Sequence, residues 1–206
     1  MDNQRDYDLY RDIQTRCNGE IYIGVVGPVR TGKSTFIKRF MDLLVLPHIE
    51  DEFERERAND ELPQSAGGKT ITTTEPKFIP KEAANVKLFG ENEVKIRLID
   101  CVGYIVKGAE GLYEEQNERM VMTPWSESPM PFTQAAEFGT RKVIHDHSTI
   151  GIVVTTDGSF GDLPREAFED PEKRTIQELT AIGKPFVVLV NSAKPYGSET
   201  AALVEK

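Results

Sequence analysis

Apolar residues fall along the chain in two rhythms. Short, nearly unbroken runs recur at Ile21-Tyr22-Ile23-Gly24-Val25-Val26, at Ile150-Gly151-Ile152-Val153-Val154-Thr155 and at Phe186-Val187-Val188-Leu189-Val190. Runs of this length and β-branched content read as strands of a parallel sheet, the first two buried. Val94-Lys95-Ile96-Arg97-Leu98-Ile99 alternates instead and ends in Asp100, as a strand feeding a site would. Between the runs the apolar residues take helical spacing. One helix is expected from Ser34 to about Val45, where Pro47 should stop it, and one from Thr133 to about Ile144. A third starts at Asp170-Pro171 and reaches Ile182, and a last one runs from Glu199 to Lys206, capped by Ser198. Lys77-Phe78-Ile79-Pro80 reads as a short strand whose prolines suit a sheet edge, with a turn around Gly90-Glu91-Asn92. Residues 1–18 carry a weak helical pattern (Tyr7, Leu9, Tyr10, Ile13) and read as an N-terminal extension. The acidic stretch Glu50 to Arg57 reads as a solvated helix end or loop within a connection over 48–69, and 104–148 as an irregular insertion. Strand and helix in alternation predict a single α/β domain over 1–206. Its sheet is open and mostly parallel with helices on both faces, and ligands bind beyond the strand C-terminal ends.

The chain has 206 residues, 38% hydrophobic and 29% charged, with a formal net charge of -9. That length supports one domain with a core. No apolar run approaches the roughly 20 residues that span a bilayer. Met1 to Gly19 has no signal-peptide core, so a cytoplasmic protein is expected. The acidic balance argues against broad nucleic-acid binding. Cys17 and Cys101 are too few for a disulfide framework or a zinc site, and Cys101 reads as a small core residue. The last helix meets neither a Gly nor a Pro stop, so the chain is expected to be part of a longer protein.

Chemistry gathers directly after the first strand. Gly27-Pro28-Val29-Arg30-Thr31-Gly32-Lys33-Ser34 reads G-x-x-x-x-G-K-S, the phosphate-cradling P-loop, between a strand and a helix as that motif requires. The main chain from Gly27 to Thr35 would curl around a β-phosphate at the positive end of the helix. Lys33 would reach the β/γ oxygens, and Ser34 would ligate Mg2+. Roughly 65 residues on, Asp100-Cys101-Val102-Gly103 reads D-x-x-G at a strand end. There Asp100 can hold Mg2+ through water, and the Gly103 N–H can meet a γ-phosphate. Between the two motifs lies Thr70-Ile71-Thr72-Thr73-Thr74. A threonine in such a loop completes the Mg2+ shell with its hydroxyl and senses the γ-phosphate with its N–H. Thr73 and Thr74 are the candidates, being nearest the following strand; the plainer reading is that threonines favour an edge strand.

The base pocket departs from the GTP-binding pattern. GTPases follow this last strand with N-K-x-D, whose aspartate accepts from guanine. Here the run is Asn191-Ser192-Ala193-Lys194, and lysine has donors only. An unpaired donor facing guanine's donors costs selectivity, so Asn191 and Ser192 are expected to line a pocket that favours ATP or discriminates bases weakly. Tyr104 stands where many GTPases place a water-orienting glutamine, which predicts slow turnover. Arg30 is a candidate for transition-state charge supplied from within the chain, against a side chain that merely points to solvent. Asp157 could contact water or base, or simply hold an Asp-Gly turn. His145-Asp146-His147 has no partner cluster and reads as solvated rather than metal-binding. Trp125, between prolines, suits a partner contact or buried packing equally.

Five segments together resemble one family: G-P-V-R-T-G-K-S-T-F-I-K-R-F, G-G-K-T-I-T-T-T-E-P-K-F-I-P, L-I-D-C-V-G-Y, M-T-P-W-S-E-S-P-M-P-F and V-T-T-D-G-S-F. They are similar to the stage IV sporulation protein A family, spore coat morphogenetic ATPases of endospore-forming bacteria. The resemblance covers essentially the whole chain. It implies a P-loop NTPase fold related to translation-factor GTPases, with ATP as substrate and Mg2+ as cofactor. Lys33 would be the phosphate lysine, Asp100 the Mg2+-side acid, and Thr73 and Thr74 the sensor threonines. It further implies self-assembly into a homopolymer, a static platform on the forespore surface in the mother-cell cytoplasm. Spore coat proteins and a small membrane-bound amphipathic peptide would be partners. A GTP switch and a non-hydrolysing nucleotide-bound scaffold remain as alternative functions.

Overall fold

A computed structural model of the chain describes residues 19–63, 75–87, 93–114 and 117–205. The weak pattern in residues 1–18, Thr70 to Thr74 and the turn at 90–92 lie outside the described residues. In chain order the elements are β1 (Glu20–Val26), α1 (Lys33–Phe40), α2 (Glu52–Asp60), β2 (Lys77–Lys87), β3 (Glu93–Asp100), β4 (Tyr113–Glu114), β5 (Asn117–Glu118), β6 (Met120–Thr123), β7 (Ser126–Pro131), α3 (Phe132–Lys142), β8 (Ile150–Thr156), α4 (Glu166–Ala181), β9 (Phe186–Asn191) and α5 (Ser198–Val204).

The four apolar runs become four parallel neighbours. The main sheet has the order β2-β3-β1-β8-β9, with only β2 antiparallel. Register aligns the strand ends: Val25 faces Asp100, Val26 faces Val153, and Thr156 faces Asn191. Alternate side chains of β1 feed two cores, as the period of two requires. Ile21, Ile23 and Val25 join Ile37, Met41 and Val45 under α1. Tyr22 and Val26 turn the other way, toward Val143, Ile144 and Leu179. Helices thus cover both faces. Burying a side chain such as Ile37, Leu98 or Ile144 contributes roughly 1.5–3 kcal/mol, and all three are fully enclosed. A third cluster, Val29, Val106, Ala109, Leu112, Phe132, Ala136 and Phe168, seats the 104–148 insertion directly on the phosphate loop through Val29.

Several expected boundaries move, each for a local reason. The first helix passes beyond Val45: α1 runs into a wide turn, Met41–Val45, and a tight one, Leu46–His48. Pro47 is the second residue of that tight turn, where no helical N–H is needed, and the helical run ends one residue later at His48. The acidic stretch is itself the helix α2. Asp51 caps it, accepting from Glu54 N at 2.8 Å, and Glu52 and Glu54 sit at its positive end. The strand beginning at Lys77 is longer than expected and slips register between Ile79 and Ala84, around Pro80, as an edge permits. The insertion is more regular than expected: β4 pairs with β5 and β6 with β7, and α3 follows. Helix α4 begins four residues before Asp170-Pro171, leaving Pro171 inside it. Buried Phe168 anchors that first turn, with its N–H on Arg165 O at 3.0 Å. Gly197, not Ser198, takes the cap position of α5. No helix among the described residues is long and apolar enough to cross a membrane.

Candidate functional site

Because β1, β3, β8 and β9 run parallel and end level, the loops that follow them meet at one edge. Gly27 leaves β1 with φ 127°, and Gly32 caps α1 with φ 94°. A Cβ at Gly27 would lie 2.4 Å from Val154 O, so the loop passes close to β8 and requires glycine there. Arg30 is the one non-glycine residue with positive φ among the described residues, at 63°. Strain of that kind collects at ligand loops. Its guanidinium lies 3.7 Å from Glu110, so the arginine leans toward the insertion.

Side chains converge inside this turn. Lys33 is buried, and its Nζ donates to Pro28 O at 2.6 Å. Burial lowers its pKa, opposed by the neighbouring Cys101 and Asp100 side chains. Ser34 Oγ donates to Asp100 Oδ2 at 2.7 Å, joining the P-loop to the end of β3. Burial raises the Asp100 pKa, opposed first by the Ser34 hydrogen bond and then by Lys33. Its other oxygen, Oδ1, is buried without a hydrogen-bond partner among the described residues. A buried, unsatisfied carboxylate oxygen is costly unless something occupies it. With the Ser34 hydroxyl beside it, the pair offers the hard oxygen donors that a small dication selects. No group of three or more His, Cys, Asp or Glu capable of holding a metal occurs among the described residues.

Gly103 packs against the same loop with φ 94°; a Cβ there would meet Gly27 O at 2.1 Å and Lys33 Nζ at 2.6 Å. Tyr104 continues the contact: its N donates to Gly27 O at 3.2 Å and its O accepts from Val29 N at 2.9 Å. The Tyr104 side chain turns away into the protein. It is 1% exposed, its hydroxyl donates to Glu178 Oε2 at 2.6 Å, and the Arg174 guanidinium lies over its ring at 4.2 Å. Arg174 also grips Glu137 of α3 with two bonds of 2.8 and 2.9 Å. Burial, and then Glu178, push the phenol well above its ordinary pKa.

Asn191 closes the loop from the β9 side, with Nδ2 donating to Thr31 O at 3.1 Å. It therefore supports the cradle. Ser192 Oγ lies 3.2 Å from Thr200 Oγ1 and accepts from Lys194 N at 2.9 Å. Asp157 accepts from Ser159 N at 2.9 Å and from Thr200 Oγ1 at 3.0 Å. Burial would raise its pKa, but hydrogen bonds from Ser159, Ser192 and Thr200 outweigh that and hold it at about 2. It fastens the β8 and β9 loops together.

Thus Gly27, Pro28, Val29, Arg30, Thr31, Gly32, Lys33, Ser34 and Thr35 lie in the loop and first turn of α1, with Asp100, Gly103 and Asn191 drawn against them. Ser192 sits one step out, and Thr73 and Thr74 lie outside the described residues. His145 Nε2 approaches Glu178 at 3.8 Å and His147 meets the Phe78 ring edge-on. Trp125 packs on Phe138 with centroids 5.2 Å apart. Cys101 is a buried free thiol, its pKa pushed by burial to about 11. Three partners of the site escape sequence reading. Thr140, which accepts from Gly103 N at 3.1 Å, Arg174 and Glu178 lie on helices with no motif around them; their only trace is a polar residue on a helix.

The family model of stage IV sporulation protein A, ATPase domain, matches residues 3–206. Stage IV sporulation protein A of Bacillus subtilis (strain 168) is 58% identical over 196 residues, which is 95% of this chain and 40% of that protein. Its counterparts in Bacillus anthracis and Clostridioides difficile (strain 630) are 56% and 54% identical over the same shares. The chain therefore spans 40% of the length of the curated relatives it matches. Among solved structures, the SsGBP mutation variant G235P has a TM-score of 0.44 and 16% identity over 98% of this chain and 48% of that one. On the family match and these identities, the chain belongs to the stage IV sporulation protein A ATPase-domain family.

Proposed function

We propose that this chain binds ATP with Mg2+ and hydrolyses it to ADP and phosphate, slowly, and that hydrolysis drives a shape change and self-assembly into a static coat platform. The observation that carries the nucleotide reading is the loop from Gly27 to Ser34, wrapped around buried Lys33 and bonded to Asp100. Main-chain N–H groups at the start of α1 bind phosphate oxygens and orient them toward Lys33. Lys33 exchanges its present acceptor, Pro28 O, for those oxygens. Ser34 and Asp100 would hold Mg2+, and Thr73 is proposed to add a third ligand. The bound ion would supply positive charge against the phosphate groups. Gly103 and Thr74 are proposed to meet the γ-phosphate through main-chain N–H. Arg30 is proposed to add charge in the transition state, tested by phosphate release from Arg30→Ala at unchanged nucleotide affinity; an undiminished rate excludes it. Asn191 holds the cradle while Ser192 and Lys194 flank the base, which favours ATP over GTP.

The family supports the wider reading: homopolymer formation, contacts with spore coat proteins and a small membrane-bound amphipathic peptide, and a peripheral place on the forespore in the mother-cell cytoplasm. One observation favours a second reading, a non-hydrolysing scaffold. Tyr104 stands where a water-orienting side chain is common, yet its hydroxyl is committed to Glu178. Competition binding tests the first reading: displacement of a fluorescent nucleotide by ATP and by GTP, each with and without Mg2+. ATP with Mg2+ is expected to displace at the lowest concentration. Tight GTP with excluded ATP would replace this reading with a GTP switch.

A further inference from the structure

Gly103 is tied to the insertion by one hydrogen bond. Its N donates to Thr140 Oγ1 at 3.1 Å, and that hydroxyl donates in turn to Ala136 O at 2.8 Å. Thr140 is fully buried at 0% exposed. A threonine that donates to the carbonyl four residues back is ordinary inside a helix. Here its oxygen also accepts from backbone outside the helix. A buried N–H must have a partner, and for Gly103 that partner is a side chain of α3. Lys33 is likewise occupied, on Pro28 O. Gly103 and Lys33, two of the groups that would meet a γ-phosphate, both hold protein acceptors, and they lie close together: a Cβ on Gly103 would lie 2.6 Å from Lys33 Nζ.

We propose that Thr140 is a positioning residue for γ-phosphate recognition: its hydroxyl holds the Gly103 N–H while no γ-phosphate is bound and gives it up when one is. The seating of α3 and the presence of a triphosphate are then one equilibrium. This inference rests on the nucleotide reading above. The consequence reaches the surface, because α3 carries Phe138 against Trp125 at the tip of the β6–β7 hairpin and Glu137 against Arg174.

Removing the hydroxyl leaves the Gly103 N–H only the weak acceptor Cys101 Sγ in the diphosphate state and leaves it satisfied in the triphosphate state. The Thr140→Val variant of the full-length protein is therefore expected to raise the affinity ratio of the non-hydrolysable β,γ-imido analogue of ATP over ADP. The rise should be roughly 5- to 10-fold, the worth of one hydrogen bond. Thr140→Ser keeps the hydroxyl and is expected to keep the wild-type ratio, which a purely structural role of the methyl group would not predict. Thr140→Ala carries the same expectation as valine if the valine variant does not fold. Equilibrium displacement of a fluorescent nucleotide, with Mg2+ present, reads each ratio. An unchanged ratio in the valine and alanine variants overturns the inference, as does an equal shift in the serine variant. A wild-type protein that binds neither nucleotide overturns the nucleotide reading itself, and this inference with it.

Discussion

Tyr104 stands directly after the Asp100-Cys101-Val102-Gly103 turn, and its two halves act separately. Its main chain pairs with Gly27 and Val29 of the phosphate loop. Its phenol reaches Glu178 on α4, with Arg174 stacked over the ring. A hydrogen bond to an ionised acceptor is stronger than a neutral one. Tyr104→Phe is thus expected to cost about 1–2 kcal/mol in urea unfolding while leaving nucleotide affinity near wild type, since the main chain is unaltered. Asp157 gives a pH prediction. Its folded pKa of about 2 lies below the unfolded aspartate value of about 3.9. Between those values the unfolded chain binds more protons, so stability rises with pH there; the contribution is present above about pH 4 and lost as the pH falls toward 2. Asp157→Asn should flatten stability against pH across that window. A variant as steep as wild type would show that these hydrogen bonds do not set the titration. Asp157 is partly exposed, so solvent screening keeps the effect modest.

At the level of elements, the four β-rich runs and the G-x-x-x-x-G-K-S turn were plain in the sequence, because a stretch of apolar, β-branched residues and a fixed loop chemistry each leave a dense local pattern. Helix α2 was not, because six of the nine residues in Glu52–Asp60 are charged and only Ala58 is buried. Its trace was Asp51 with Glu54 three residues on, a cap without an apolar stripe. Pro171 misled in the opposite direction. The first turn of α4 is held from outside by Phe168 in the third core cluster, a tertiary contact that no local signal announces. Of the site, the loop residues, Asp100, Gly103 and Asn191 could be read from motif and strand order. Thr140, Glu178 and Arg174 could not, since they reach the site only through packing of α3 and α4. Spacing between layers gives its own prediction. Gly24 lets the turn after α3 approach β1 so closely that a Cβ would lie 2.7 Å from Ser148 Cβ and 3.0 Å from Val143 Cγ1. Gly24→Ala is expected to destabilise the fold by about 1–3 kcal/mol in urea unfolding, the cost of overpacking. A neutral effect would mean that the helical layer shifts freely over the sheet.

For the molecule as a whole, the sheet is centred on β1, and the phosphate loop sits where two cores and the insertion meet. Val29 belongs to the insertion's cluster and Val26 to the sheet's, so a displacement of the loop is felt by both. At the far edge β9 pairs only with β8 among the described residues, and Val187, Val188 and Leu189 are 56%, 40% and 36% exposed. Parallel strands are ordinarily covered on both faces, and the relatives are longer than this chain. The proposed turnover of ATP in this cradle needs Lys33 to grip the phosphates. Phosphate release from ATP with Mg2+, by wild type and by Lys33→Ala, tests it most directly. Slow but measurable release is expected from wild type and release at background from the variant, which should still unfold cooperatively. Equal release from the two proteins, or none from either, would contradict it.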